Sequence, residues 1–113
     1  MAGIPLNTFR TVPFVVTETD TQVYAAPLGT TAIILMAQVA NIGTNYQSVT
    51  FKHYQYSTGV ITEVVKGFIV PPNDAVNLLS GKLVLETSDR IYVSGSTTTD
   101  LKFIASILES ANQ

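Results

Sequence analysis

The stretch YQSVTFKHYQYSTGVITEVVK, residues 46–66, carries the pattern that decides the fold. Apolar and polar side chains alternate along its first half, and a period of two places successive side chains on opposite faces of a β-strand. The turn residues STG, 57–59, then predict a hairpin into a second strand over residues 60–66. The alternation predicts one face made of Val49, Phe51 and His53, and a solvent-facing one made of Thr50, Lys52, Tyr54 and Tyr56.

Short segments bounded by turn residues continue over the rest of the chain. They predict strands over residues 9–16, 21–25, 32–41, 82–86, 90–94 and 101–108, and a strand end at FIV, residues 68–70. Pro13 predicts an edge strand, because proline cannot donate to a ladder. Residues 32–41 are apolar on both faces, which indicates a strand buried in a sandwich or under a partner. The stretch DAVNLLSG, residues 74–81, predicts one helical turn capped by Asp74.

About eight strands with turns roughly every ten residues are typical of a β-sandwich or jelly roll. The length of 113 residues suits one domain. We therefore predict an all-β protein with a single antiparallel β-sandwich or jelly-roll-like domain at residues 20–110. An extended N-terminal arm with an edge strand is expected at residues 1–19.

The composition argues against several classes of function. Only 12% of the residues are charged, and the six Lys and Arg residues are scattered, so we expect no nucleic-acid binding. The absence of Cys excludes disulfides and cysteine nucleophiles. The longest apolar run, AIILMAQVA at residues 32–40, is far shorter than the ~20 residues of a membrane helix, so no membrane partner is expected. The N-terminus lacks the pattern of a secretory signal, which favours a cytoplasm-like compartment.

Residues that could carry catalysis are few. His53 is the single histidine, and its alternation with core positions predicts a partly buried, hydrogen-bonded side chain rather than a general base. The SGS at residues 94–96 lacks the strand-to-helix context of a hydrolase nucleophile. We therefore predict no enzyme activity and no catalytic residue.

The acidic residues fall mostly at strand boundaries. Asp20, Asp74, Asp89 and Asp100 are each expected to bond nearby backbone in a turn. The stretch KLVLETSDRIYVSG, residues 82–95, is interpreted as a strand–turn–strand connector, with Glu86 and Arg90 forming a surface pair. No calcium loop and no glycine-rich phosphate loop is present, so no metal and no cofactor is predicted. A structural ion at the Asp74 and Asp89 end is the alternative.

Three tyrosines on the predicted solvent side are candidate contact residues. Tyr46, Tyr54 and Tyr56 would suit either a contact with a neighbouring subunit or a stacking platform for a sugar. The chain contains no Trp, and we favour the subunit contact.

The order of the segments resembles that of the small β-sandwich accessory proteins of tailed bacteriophage virions. The similarity covers roughly residues 20–110. It lies in VYAAPLGTTAIILMAQVAN, in the strand SVTFKHYQY, in IVPPNDAVNLLSGKLVLETSDRIYVSGS and in the final LKFIASILES.

The resemblance implies a virion structural protein of the head, neck or tail that is present in several copies. Its partners would be further copies of itself and other virion proteins, and it would assemble in the bacterial host cytoplasm. It brings no catalytic residues. In the arm MAGIPLNTF, residues 1–9, the apolar Ile4, Leu6 and Phe9 are candidate partner contacts, since such an arm can lie across a neighbour or add a strand to it.

Two other functions stay open from the sequence. A carbohydrate-binding or adhesive module would use Tyr46, Tyr54 and Tyr56. A jelly-roll enzyme would need a cluster of several histidines or an acid pair, and a single histidine makes this the weakest of the three.

Overall fold

A computed structural model describes residues 7–111, and these residues form nine β-strands and no helix. The all-β prediction is therefore confirmed. The strands are β1 (Asn7–Val15), β2 (Thr21–Ala25), β3 (Thr30–Asn41), β4 (Gln47–Gln55), β5 (Val60–Val70), β6 (Asp74–Asn77), β7 (Leu83–Leu85), β8 (Arg90–Gly95) and β9 (Leu101–Ala111).

The strands form two antiparallel sheets that pack face to face. Sheet 1 has the order β1-β9-β3-β6, with β7 also paired to β3, and sheet 2 has the order β2-β8-β4-β5. The pairs are nested outward from the β4–β5 hairpin: β3 pairs with β6 and β7, β2 with β8, and β1 with β9. Going outward from the hairpin, successive strand pairs lie alternately in sheet 2 and in sheet 1. This is the topology of a jelly roll.

Residues 7–111 form nine strands where about eight were predicted, because residues 74–77 form the additional strand β6, which shares one side of β3 with β7. Both pair with β3, β7 near its start and β6 at its end. A bulge between Ile34 and Met36 lies between these two pairings. The extra residue shifts the alternation of β3 by one position. The buried side chains are therefore Ala32 and Ile34 before the bulge, and Ala37 and Val39 after it.

The core lies between the two sheets. Phe51 of sheet 2 stacks against Phe103 of sheet 1, with ring centroids 5.9 Å apart. Burying each ring contributes about 1.5–3 kcal/mol to folding. The largest fully buried side chains are Phe51, Phe103, Ile34, Leu85, Ile91, Leu101, Ile107, Val16, Val39, Val49, Val70 and Val93.

Two edge strands, β1 and β5, can be compared with the sequence prediction, β1 for its position and β5 for its extent. β1, which contains Pro13, forms the edge of sheet 1 as predicted. β5 joins the strand predicted over residues 60–66 and the strand end predicted at residues 68–70 into one edge strand that ends at Val70, and bulges keep it paired with β4. Gly67 lies in this irregular region with a φ of 61°, and its N–H donates to Thr50 Oγ1 at 3.0 Å.

The predicted helical turn over residues 74–81 was wrong. Asp74 begins β6 rather than capping a helix, and Asp74–Asn77 pair with residues 38–41 of β3. Asp74 Oδ1 does accept a nearby backbone bond, from Ala75 N at 2.8 Å. The long β3 offers ladder hydrogen bonds to this segment, whereas a single isolated helical turn is costly to nucleate.

Residues 1–6 lie outside the described residues, so the extended arm stays a prediction. The part of the predicted arm that the structure describes, from Asn7 onward, pairs with β9 along the whole of β1.

Candidate assembly surfaces

The described part of the chain offers no evident chemical centre. Residues 7–111 contain no group of three or more His, Asp or Glu side chains arranged to hold a metal ion. The same residues contain no helix that is long and apolar enough to cross a membrane. The outer surfaces of the two sheets are therefore the candidate functional sites.

The outer face of sheet 1 carries a continuous apolar row. Phe9 of β1 lies opposite Leu108 of β9, Leu108 lies opposite Ile33 of β3, and Ile33 lies opposite Val84 of β7. We call these four residues the apolar row. Phe9 is 74% exposed and Val84 is 54% exposed at the two ends, while the two middle residues are half-buried. The row crosses the full width of the sheet.

Further apolar side chains follow on the same face. Ile104 of β9 lies opposite Pro13 of β1, and the next outward positions are Val15 and Lys102. Ile104 and Val15 are both exposed. Among the paired outward positions of β1, β9, β3, β6 and β7 in residues 7–111, Lys102 is the single charged residue.

The outer face of sheet 2 has a different character. Lys52 lies between Glu63 and Tyr92 of the neighbouring strands, and its Nζ is 3.0 Å from Asp20 Oδ2. In the next row, Tyr54 lies between Ile61 and Arg90. Lys52, Glu63 and Arg90 thus place charges of both signs on this face, beside the exposed Ile61.

The three candidate tyrosines do not form one group. Tyr54 and Tyr56 lie near the end of β4, whereas Tyr46 precedes its start, roughly 25 Å away along the strand. The Arg90 guanidinium lies 5.4 Å from the centre of the Tyr54 ring. Hydrogen bonding to Tyr92 raises the pKa of Arg90 further above its ordinary value, and Tyr54 and Tyr56 act in the same direction. Tyr54, Tyr56, Arg90 and Tyr92 thus form a tyrosine–arginine cluster on sheet 2.

The connector between β7 and β8 is held by a buried carboxylate. Asp89 is 2% exposed, and its Oδ1 accepts from Tyr56 N at 3.0 Å while Oδ2 accepts from Glu86 N at 3.0 Å. His53 Nε2 lies 3.3 Å from the same Oδ2. Both the turn prediction for Asp89 and the partly buried, bonded state predicted for His53 are confirmed.

The predicted surface pair between Glu86 and Arg90 was wrong. Glu86 Oε1 accepts from Gln55 Nε2 at 3.1 Å, and Arg90 lies over Tyr54. The tight turn at residues 86–89 sends β8 into the other sheet, so that the two side chains take partners from β4.

A partly buried polar contact joins the two sheets. The hydroxyl of Tyr24, on β2 of sheet 2, donates to the carboxylate of Glu109, on β9 of sheet 1. Arg10 Nη1 lies 3.8 Å from the same carboxylate. Burial raises the pKa of Tyr24 well above its ordinary value, and the bond to the Glu109 carboxylate raises it further.

The other predicted contact residues have mixed outcomes. The structure places Phe9 at the exposed end of the apolar row, and Tyr46 is 69% exposed. Ile4 and Leu6 lie outside the described residues. Sequence reasoning missed Leu108, Ile33 and Val84 as surface partners of Phe9. Their outward direction follows from alternation, but their alignment depends on strand pairing.

Comparisons with known proteins give matches at the level of structure. No family model matches the sequence, and no curated protein matches it. A chain from Bacillus endospore appendages, described as disulfide-linked pili, aligns with a TM-score of 0.59 and 12% identity over 100% of this chain and 98% of that chain.

Two viral structures are similar as well. A chain of the acid-stable capsid of Helicobacter pylori bacteriophage KHP30 aligns with a TM-score of 0.58 and 10% identity over 96% of this chain and 90% of that chain. A chain of the T13 IBDV viral particle aligns with a TM-score of 0.59 and 8% identity over 96% of this chain, but over 32% of its own length. The likeness is one of fold. At these identities it says nothing by itself about function.

Proposed function

We propose that this protein is a non-catalytic structural subunit of a bacteriophage virion, which assembles in multiple copies onto the head, neck or tail. The observation that carries the proposal is the outer face of sheet 1, where a row of apolar side chains, exposed at both ends and half-buried in the middle, crosses the whole sheet with a single charged residue among the described paired positions of the face. A monomeric protein rarely leaves such a face in water, and contiguous apolar surface is typical of an interaction site.

The fold supports the same proposal. The jelly roll is a common architecture of viral capsid proteins, and the similar structures include chains of a phage capsid and of a viral particle. The appendages, the capsid and the viral particle named above are each assemblies of many copies. Because this chain has no cysteine, its copies would be joined by packing and strand contacts rather than by the disulfides named for the appendages.

The experiment is to purify particles from the source culture and to measure the copy number of this chain against the major capsid protein by quantitative mass spectrometry. We expect copies in fixed proportion to the capsid protein. Hundreds per particle would indicate a head or tail-tube position, and about a dozen a neck or baseplate ring, as the symmetry of such bodies requires. Absence from the particles would reject the proposal.

The tyrosine–arginine cluster favours a second candidate, a carbohydrate-binding or adhesive module. Tyr and Arg are enriched where proteins make energetically important contacts, and jelly rolls also occur in lectins. Tyr54, Tyr56 and Arg90 would supply aromatic faces and hydrogen-bond donors to a sugar.

A comparison of glycan binding by the wild type and by the Tyr54→Ala variant distinguishes this candidate from the first. On a glycan array, the module would bind a defined sugar and lose that binding in Tyr54→Ala, while Tyr46→Ala would serve as the matched control at the distant end of β4. A wild-type protein that binds no glycan would remove the second candidate.

A further inference from the structure

We propose that a second copy of this chain covers the outer face of sheet 1, with the apolar row of one copy packed on the apolar row of the other. This inference rests on the proposed function, because it names one of the contacts through which the subunits would assemble.

The composition suits a contact with an identical face. Two identical surfaces that carry net charge repel each other, so a self-contact requires a face that is nearly uncharged. Among the paired outer positions of sheet 1 in residues 7–111, Lys102 alone is charged, and the exposed Lys82 lies just before β7, two residues from Val84. Lys102 lies six residues along β9 from Leu108, or about 20 Å, and therefore belongs to the rim of the contact. A polar rim around an apolar centre is the usual arrangement of an interface.

The area is also of the right size. Four strands spaced ~4.8 Å apart, along the nine residues of β1, cover on the order of 600 Å² before the relief of the side chains is counted. A standard interface buries about 800 Å² per partner, including that relief. One sheet face is thus enough for a stable dimer without any contribution from the edges.

The order of the row permits a two-fold contact. The row reads Phe9, Leu108, Ile33, Val84 across the sheet. A two-fold axis parallel to the strands, passing between β9 and β3, reverses this order in the second copy. Phe9 then packs on Val84 of the second copy, and Leu108 packs on Ile33 of the second copy. The large, exposed Phe9 ring is placed against the smaller Val84 side chain at each end, so the two surfaces complement each other.

The first test is the self-association of Phe9→Asp, measured by sedimentation over a range of concentrations. We expect the wild type to dimerise, and we expect Phe9→Asp to raise the dissociation constant about 30-fold or more, because the substitution buries two carboxylates per dimer. The matched control is Ile61→Asp, which alters an equally apolar residue, 59% exposed, on the outer face of sheet 2. It should leave the dissociation constant unchanged. Circular dichroism melting curves verify that both variants are folded.

The second test uses the absence of cysteine as a clean background. The double variant Phe9→Cys and Val84→Cys should form a covalent dimer under mild oxidation, whereas a control pair of Ile61→Cys and Val84→Cys should not. A wild type that stays monomeric, a dimer that Phe9→Asp leaves intact, or cross-linking by the control pair alone would each overturn the inference.

The failure of this inference can be distinguished from the failure of the proposed function. If the wild type is monomeric but Phe9→Asp is lost from purified particles, the face contacts a different virion protein and the second copy is rejected, while the virion role stands. If the chain is absent from particles but dimerises through the row, the self-contact stands and the virion role falls.

Discussion

At the scale of single residues, Asp89 has the most consequential position among the polar side chains. It is one of two buried polar residues in the described part of the chain, with Asn41. Its two oxygens satisfy two backbone N–H groups and approach His53, so that one side chain fixes the turn after β7 and the end of β4. When a buried N–H group loses its acceptor, the folded state is destabilised by the full free energy of removing that group from water.

We therefore expect Asp89→Ala to lower the free energy of unfolding by about 2–4 kcal/mol, since it leaves two backbone donors without their acceptor. Asp89→Asn keeps one acceptor oxygen and should cost roughly half as much. Asp74→Ala is the matched control, because Asp74 is exposed and accepts one local bond. Urea denaturation measures the difference. Equal losses in Asp89→Ala and Asp74→Ala would contradict the role assigned to Asp89.

At the scale of elements, a side-chain contact between β2 and β9 connects the two sheets. These two strands are not paired through backbone hydrogen bonds. Tyr24 and Glu109 belong to different sheets, and their hydrogen bond adds a directional constraint to an otherwise apolar core. Burial and the neighbouring carboxylate both favour the neutral phenol, which is why the pKa of Tyr24 is raised in the folded state.

The raised pKa predicts a loss of stability in alkali. Above pH ~10 the unfolded chain loses the Tyr24 proton while the folded chain keeps it, so the unfolding free energy falls by at most about 1.4 kcal/mol per pH unit. Below pH ~10 the stabilisation is fully present. Tyr24→Phe should be less stable than the wild type at pH 8 by about 1–2 kcal/mol, and its stability should fall less steeply between pH 10 and 11.

Urea denaturation of both proteins from pH 8 to 11 provides the measurement, and Tyr46→Phe provides the control, since Tyr46 is exposed. Groups common to all three proteins cancel in the comparison. An identical pH slope in Tyr24→Phe and wild type would show that Tyr24 does not carry the alkaline loss.

At the scale of the whole molecule, the jelly roll is stable because two sheets bury one face each against the other. The Phe51–Phe103 stack lies across that boundary, and neither ring is exposed to water by more than 2%. The opposite, outer face of sheet 1 is open and carries the apolar row with a single charged residue among its described paired positions, and the proposed assembly depends on this property.

Phe51→Ala should lower the free energy of unfolding by about 3–5 kcal/mol, because it removes buried surface and leaves a cavity between the sheets. Phe103→Ala should behave alike, and the double variant should fall short of the sum by about 0.5–1.5 kcal/mol, the coupling of a stacked pair. Phe9→Ala, on the exposed face, should cost less than about 0.5 kcal/mol. Strict additivity of the two core variants would argue against direct packing of the sheets through these rings.

Several features of the fold followed from the sequence alone, because they depend on local geometry. Alternation with a period of two gave the strands and the inward side of Val49 and Phe51. Pro13 indicated an edge strand since it lacks an N–H, and the turn residues 57–59 placed the β4–β5 hairpin. Phe9 was named as a candidate contact because it is an apolar residue of the predicted N-terminal arm, and its role in a contact stays a prediction.

The tertiary structure decided what depends on pairing between distant segments. Alternation shows which residues point outward, but it does not show that Phe9, Leu108, Ile33 and Val84 align in one row, because their strands are joined through long-range ladders. The same holds for β6, which pairs with β3 instead of forming the predicted helical turn. It also holds for Tyr46 and Tyr54, which lie near opposite ends of β4. The physical reason is that a strand's faces are set by its own residues, whereas its neighbours are chosen by the packing of the whole chain.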